Sequence, residues 1–177
     1  MSGMLSSYDP TQVYIILDWE DNNGAPRSHI VDGVSESEIV RIERSDAWSE
    51  SVGAYGNTTR IYNAVWDKAN ITIPLQMTSD TNDILDALFA RDIRGKSSDN
   101  LFSITVKDTS GRSLHYGYQA YVAVKPNAMY GNTMETREWV VRVNKLEDIL
   151  GGNSKVDGAL VDEAASLGVT IPAKWIS

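Results

Sequence analysis

Residues 69–77 alternate strictly: Ala69, Ile71, Ile73, Leu75 and Met77 point one way, Asn70, Thr72, Pro74 and Gln76 the other. A period of two is that of a strand with one buried face, and a helix cannot gather those apolar positions on one side. Pro74 has no N–H to give a ladder, so its nitrogen is expected to face solvent, a bulge or a subunit boundary. The chain therefore needs neighbouring strands to cover this one, and the rest of the sequence supplies them.

Residues 13–19 are apolar and β-branched and end in the turn cluster Asp21-Asn22-Asn23-Gly24-Ala25-Pro26. Residues 28–34 complete a hairpin. Residues 38–44 place Val40 and Ile42 on one face and Arg41 and Glu43 on the other. The chain then runs extended through Trp48 to a Gly-rich turn at Gly53 and returns through Arg60 to Trp66, giving one long hairpin over residues 38–66. Further strands are expected at 101–107, 112–124 and 137–143, the first two joined by Asp108-Thr109-Ser110-Gly111, and Trp139, Val141 and Val143 share a face. One helix interrupts the series over residues 80–91. Ser79 is its N-cap, Asp80 and Asp83 lie at its positive end, Ile84, Leu85, Leu88 and Phe89 form its apolar stripe, and Gly95 stops it. After Gly151-Gly152-Asn153 the pattern changes, so residues 1–153 are read as a β-barrel or sandwich domain and 154–177 as a C-terminal extension. That extension has a short helical stretch over 156–167 and no core of its own.

Composition narrows the chemistry. The 177 residues carry no cysteine, which removes disulfides, thiolate metal sites and cysteine nucleophiles. The net charge of −8 disfavours gripping a nucleic-acid backbone, though not enclosing one. The start, MSGMLSSYDP, lacks the basic and apolar regions of a signal peptide, and no apolar run approaches the roughly 20 residues of a membrane helix. His29 and His115 each stand within an expected strand, outside any ligand spacing. The acidic turn at Asp18, Glu20 and Asp21 lacks calcium-loop spacing, and Asp80, Asp83 and Asp86 read as a capped, solvated helix face. No HExxH, GxSxG, GxGxxG or phosphate-loop motif occurs, so no catalytic, metal or cofactor site is assigned and the chain is read as non-enzymatic. Trp19, Trp48, Trp66 and Trp139 serve core and interface packing, or else a binding platform in a monomeric β-sandwich module.

The succession of segments resembles the tail tube proteins of contractile-tailed (myovirus-type) bacteriophages. The resemblance rests on Tyr8-Asp9-Pro10 before a strand, VRIERSDAWSESVGAYGNTTR from Val40, ITIPLQMTSDTNDILDAL from Ile71, REWVVRV from Arg137 and GGN from Gly151. Asp80 stands where that family often has proline, the turn at 21–26 is longer, and residues after Asn153 lie beyond the usual end.

The resemblance implies a small antiparallel β-barrel or sandwich with one flanking helix, like the tubes of type VI secretion. Six subunits would form a ring, and the rings would stack into a virion tail tube assembled in the host cytoplasm. It implies as partners the chain itself, a sheath protein, baseplate and tail terminator proteins, and a tape measure protein. DNA would follow through the lumen without sequence-specific binding, and no membrane is involved. The hairpin tip, Gly53, Ala54, Tyr55, Gly56, Asn57 and Thr58, is expected to touch the next ring. Glu38, Glu43, Asp46 and Glu50 are candidates for the lumen wall, or equally for an acidic outer surface.

Overall fold

The structure, a computed structural model, describes residues 7–152, 156 and 158–176, Trp175 without its side chain. Among the described residues nine strands form: β1 (Val13–Glu20), β2 (Pro26–Ile30), β3 (Arg41–Arg44), β4 (Trp48–Val52), β5 (Thr58–Tyr62), β6 (Ala69–Gln76), β7 (Phe102–Asp108), β8 (Leu114–Val124) and β9 (Thr136–Ile149). Helix α1 (Thr81–Gly95) lies between β6 and β7, and α2 (Gly158–Ser166) in the C-terminal extension. Among the described residues, seven strands make one antiparallel sheet in the order β2-β1-β7-β8-β9-β6-β3, while β4 and β5 pair only with each other. The fold is thus mainly β, as the alternation requires, but the sheet does not close: its two ends, β2 and β3, each have one partner.

Curvature comes from β8. Between its pairings with Phe102 and Ile104 this strand spends an extra residue, and Gln119 there takes a left-handed φ of 50°. A second irregularity falls between Val122 and Val124. Such bulges bend a strand and raise its twist, so the sheet curls around its inner face. That face carries Ile15, Leu17, Ile71, Ile73, Leu75, Ile104, Trp139, Val141 and Val143, all buried. Helix α1 covers part of it with Leu85 and Leu88, and Ile84 and Phe89 pack at the margin.

Four details depart from the expected boundaries. Strand β2 covers residues 26–30 rather than 28–34, because the chain turns away at Gly33. Gly33 has φ +62°, and a Cβ there would lie 2.6 Å from the Ser79 Cβ, so only glycine passes beneath the β6–α1 junction. Strand β9 continues to Ile149, its second half paired with the first half of β8. Helix α1 runs over residues 81–95 rather than 80–91; Gly95 is its last residue, and the left-handed cap conformation falls on Lys96, which returns its N–H to Asp92 O. Finally, β3 joins the main sheet, so residues 38–66 are an edge strand followed by a separate hairpin rather than one long hairpin.

Pro74 is buried, and its position has a structural reason. On the outer side of β6, Thr72 pairs with Arg41, whereas Leu75 bridges Val34 and Pro74 O accepts from Ser35 N at 2.8 Å. The proline nitrogen faces the break between these two partner segments, where no ladder donor is required.

The first turn of α1 is fixed by buried polar groups. Ser79 Oγ accepts from Thr81 N (3.2 Å) and donates to Asp32 O (2.7 Å), while Thr81 Oγ1 bonds the Asp32 carboxylate (2.7 Å) and His29 Nε2 (2.9 Å). Hydrogen bonds to the carboxylate, from the Thr81 hydroxyl first and then from Ser79 Oγ (3.1 Å), hold the Asp32 pKa below its ordinary value. Asn82 receives the Trp139 indole N–H on Oδ1 at 2.9 Å, and its amide donates to Gln76 O at 2.9 Å. His29 is therefore a satisfied structural residue.

The expectations for residues 1–6 and for the boundary at Asn153 lie outside the described residues. Within the extension Val156 is buried and bridges Ile176 in parallel, and Ile171 is buried too, yet neither belongs to the main core cluster.

Candidate assembly surfaces

The β4–β5 hairpin is the most exposed ordered element: all ten of its strand residues face solvent. Cross-strand pairing places Trp48, Glu50 and Val52 opposite Tyr62, Arg60 and Thr58. On that face Trp48 meets Tyr62 edge-on with centroids 5.4 Å apart, and the Arg60 guanidinium lies 3.9 Å over the Trp48 ring. Such contacts stiffen a two-stranded ribbon that would be marginal alone. Asn63 anchors the root, donating its N–H to Ala47 O (2.8 Å) and its amide to Asp46 O (3.3 Å) while accepting from Val65 N. At the tip, Gly53 and Gly56 make the turn, Gly56 with φ +82°. Gly53, Ala54, Tyr55, Gly56, Asn57 and Thr58 are all exposed.

A second surface is the open pair of sheet edges. Strand β2 presents the free side of residues 26–30 and β3 that of residues 41–44, each with backbone groups unmatched by another strand among the described residues. Such edges invite pairing with a further chain.

Near the β3 edge a polar group closes one mouth of the curled sheet. Arg44 points inward, stacks 4.5 Å from the Trp66 ring, donates from Nη2 to Leu146 O, and pairs through Nη1 with Asp148 Oδ1 at 3.0 Å. His115 Nδ1 lies 3.7 Å from the other Asp148 oxygen, too far for a good hydrogen bond. Arg44 thus ties β3 to β9 across the gap that the ladder leaves open. These three residues line an open groove of about 450 Å³ with Tyr8, Trp66, Ser113 and Leu150. Neither Arg44 nor Asp148 was singled out above as a site residue. The signal was the alternation itself, because the register that turns Val40 and Ile42 inward carries Arg44 with them.

Two outcomes follow for this group. Asp148→Ala leaves the Arg44 side chain, 9% exposed, without its carboxylate, and should cost roughly 3–5 kcal/mol in urea denaturation; Arg44→Met with Asp148→Leu should cost less. Burial pushes the His115 imidazole below its ordinary 6.5, with Asp148 opposing and Arg44 assisting. A lowered folded value means that the unfolded chain binds the extra proton first. Stability is therefore fully present above about 6.5 and falls as pH drops through the window beneath it. His115→Gln should flatten the fall in melting temperature between about pH 7 and about pH 5.

The four acidic candidates are not gathered into one patch. Glu38 pairs with Arg41 at 3.2 Å, and Glu43 lies 4.0 Å from the same guanidinium on the outer sheet face. Asp46 is exposed at the hairpin root, and Glu50 stands opposite Arg60 on the hairpin itself. Among the described residues no three His, Cys, Asp or Glu side chains are grouped as metal ligands would be, and no helix is long and apolar enough to cross a membrane.

No family model matches the chain. In fold it is similar to a chain of the sheath–tube complex of an extracellular contractile injection system in the extended state. The TM-score is 0.50 at 12% identity, over 81% of this chain and 91% of the other. A chain of the sheath/tube terminator of such a system matches with a TM-score of 0.52 at 12% identity, over 84% of this chain and 100% of the other. In sequence it is 39% identical to "Structural protein ORF10" of Pseudomonas phage KPP10, over 99% of this chain and 100% of that protein. With that identity running from end to end, the chain belongs to the family of this phage structural protein.

Proposed function

We propose that the chain is a tail tube protein, a subunit that forms six-membered rings stacked into the inner tube of a contractile tail, through which DNA leaves the particle. The observation that carries this reading is a curled sheet with both edges open and a hairpin standing free of it. Pairing of edges around a ring would satisfy the backbone groups that one copy leaves bare, as full closure does in a barrel. A head-to-tail contact that closes around the ring but not along the axis generates a filament. Membership in a phage structural family, and a fold shared with chains of contractile injection systems, support the same reading.

In this reading Gly53, Ala54, Tyr55, Gly56, Asn57 and Thr58 touch the next ring, and Glu38, Glu43, Asp46 and Glu50 are candidates to line the bore. Residues 1–153 form the tube domain, with 154–177 as its extension. Sheath, baseplate, terminator and tape measure proteins are the partners, and DNA passes without sequence-specific contact.

Because a terminator chain shares the fold, a ring that caps a tube without extending it is the second reading. Negative-stain microscopy and sedimentation of the purified chain separate these outcomes. Hollow filaments that lengthen with concentration are expected of a tube protein. Rings that never stack indicate a terminator, and a chain that stays monomeric at high concentration indicates a binding module.

A further inference from the structure

Strand β6 sets the hairpin and a second exposed segment at opposite ends of the molecule. Its first residue, Ala69, pairs with Arg44 on one side and Val143 on the other, and the hairpin leaves the sheet beside that pair. Its last residue, Gln76, pairs with Thr136, where the loop from β8 to β9 enters. Seven residue steps of about 3.3 Å separate the two ends, roughly 23 Å. That loop, residues 125–135, exposes Met129, Tyr130 and Met134, Tyr130 at 80%. At the other end Val52 and Tyr55 are exposed on the hairpin, Tyr55 at 97%. Among the described residues no other element of the same copy covers these side chains.

The two segments also match in charge. The chain carries 24 acidic and 16 basic residues, so copies repel one another wherever their charged surfaces meet. Residues 51–59 and 126–134 contain no charged side chain at all. An axial contact between like-charged copies costs least where both sides are neutral and apolar. Methionine adapts to an irregular partner, and tyrosine offers a large ring with one polar end.

From these observations we infer that the β4–β5 tip docks on the β8–β9 loop of a second copy, so that each subunit carries a plug at one end and its socket at the other. The inference rests on the tube reading and names what the hairpin meets. Each contact is small, but a ring makes the contact once per subunit, and the copies act together.

The absence of cysteine makes thiol cross-linking a clean test. Ala54→Cys and Ala128→Cys are placed together in the full chain, leaving both tyrosines in position, and assembled material is treated with a short bifunctional thiol reagent. The two sites on one copy are too far apart to join, so a ladder extending beyond dimers is expected from the double variant and no ladder from either single one. Filaments that form without a ladder overturn the docking and leave the tube reading standing. Dimers from Ala54→Cys alone also overturn it, because tip would then meet tip. Hydrogen exchange on the unsubstituted chain is the second reading: amides of residues 127–134 should gain at least about tenfold protection on assembly. Unchanged exchange there in assembled material overturns the docking. If the unsubstituted chain forms no filament at any concentration, the tube reading itself fails, and the docking with it.

Discussion

Leu85→Asp is expected to leave no folded subunit. Leu85 is wholly buried on the inner stripe of α1, in one cluster with residues of β6, β8 and β9. A carboxylate placed there has no cation beside it and either stays charged in an apolar setting or takes up a proton at a strongly raised pKa. With the lost leucine packing the cost should exceed about 5 kcal/mol, comparable to the whole stability of an ordinary domain. Far-UV circular dichroism and urea titration should show a chain without a cooperative transition. Ala87→Asp, two residues on and exposed, should unfold within about 1 kcal/mol of the parent, which isolates burial from any effect on helix propensity. A cooperative Leu85→Asp variant with a near-normal midpoint would mean that α1 does not cover the core.

Deleting residues 53–58 and closing the hairpin with Asn-Gly should have the opposite profile: a folded subunit and no polymer. The tip contributes nothing to the core, since all its residues are exposed, and the root is held separately by Asn63. With Thr58 gone, Val52-Asn-Gly forms a three-residue hairpin loop with glycine at its left-handed position, so Ser51 and Thr59 keep their pairing and the strands below keep their register. The unfolding free energy from urea titration should therefore change by less than about 1 kcal/mol. Assembly, in contrast, should stop at single rings or free subunits by size exclusion and microscopy. Tubes of ordinary length from this variant would remove the hairpin from the axial contact.

What the sequence made legible follows from burial. Where one face is covered, a slip of one residue exposes the whole apolar set, and so the inward faces of residues 69–76 and 137–143 were legible from alternation alone, although their pairing was not. Residues 48–62 show no apolar alternation, and both faces of that hairpin are wet, so nothing in the pattern shows that it stands apart from the sheet. The second half of β9 is hidden because Asn144, Lys145, Glu147 and Asp148 break the apolar run and because the buried parity shifts there: after Trp139, Val141 and Val143 the next buried residue is Leu146, three positions on. Arg44 and Asp148 were overlooked for a related reason: charged residues are read as outward by default, whereas these two satisfy each other inside the mouth of the sheet. The curl itself depends on Gln119 adopting a conformation that its side chain does not advertise.

The placement of the hairpin and the β8–β9 loop at opposite ends of β6 and β9 has a mechanical consequence. A pull between those ends runs parallel to the strands, whereas the ladder bonds joining them lie across it. All eight paired positions of β6 and β9 then bear the tension together in shear instead of opening singly like a zip. A column built from such units would resist stretching far better than peeling.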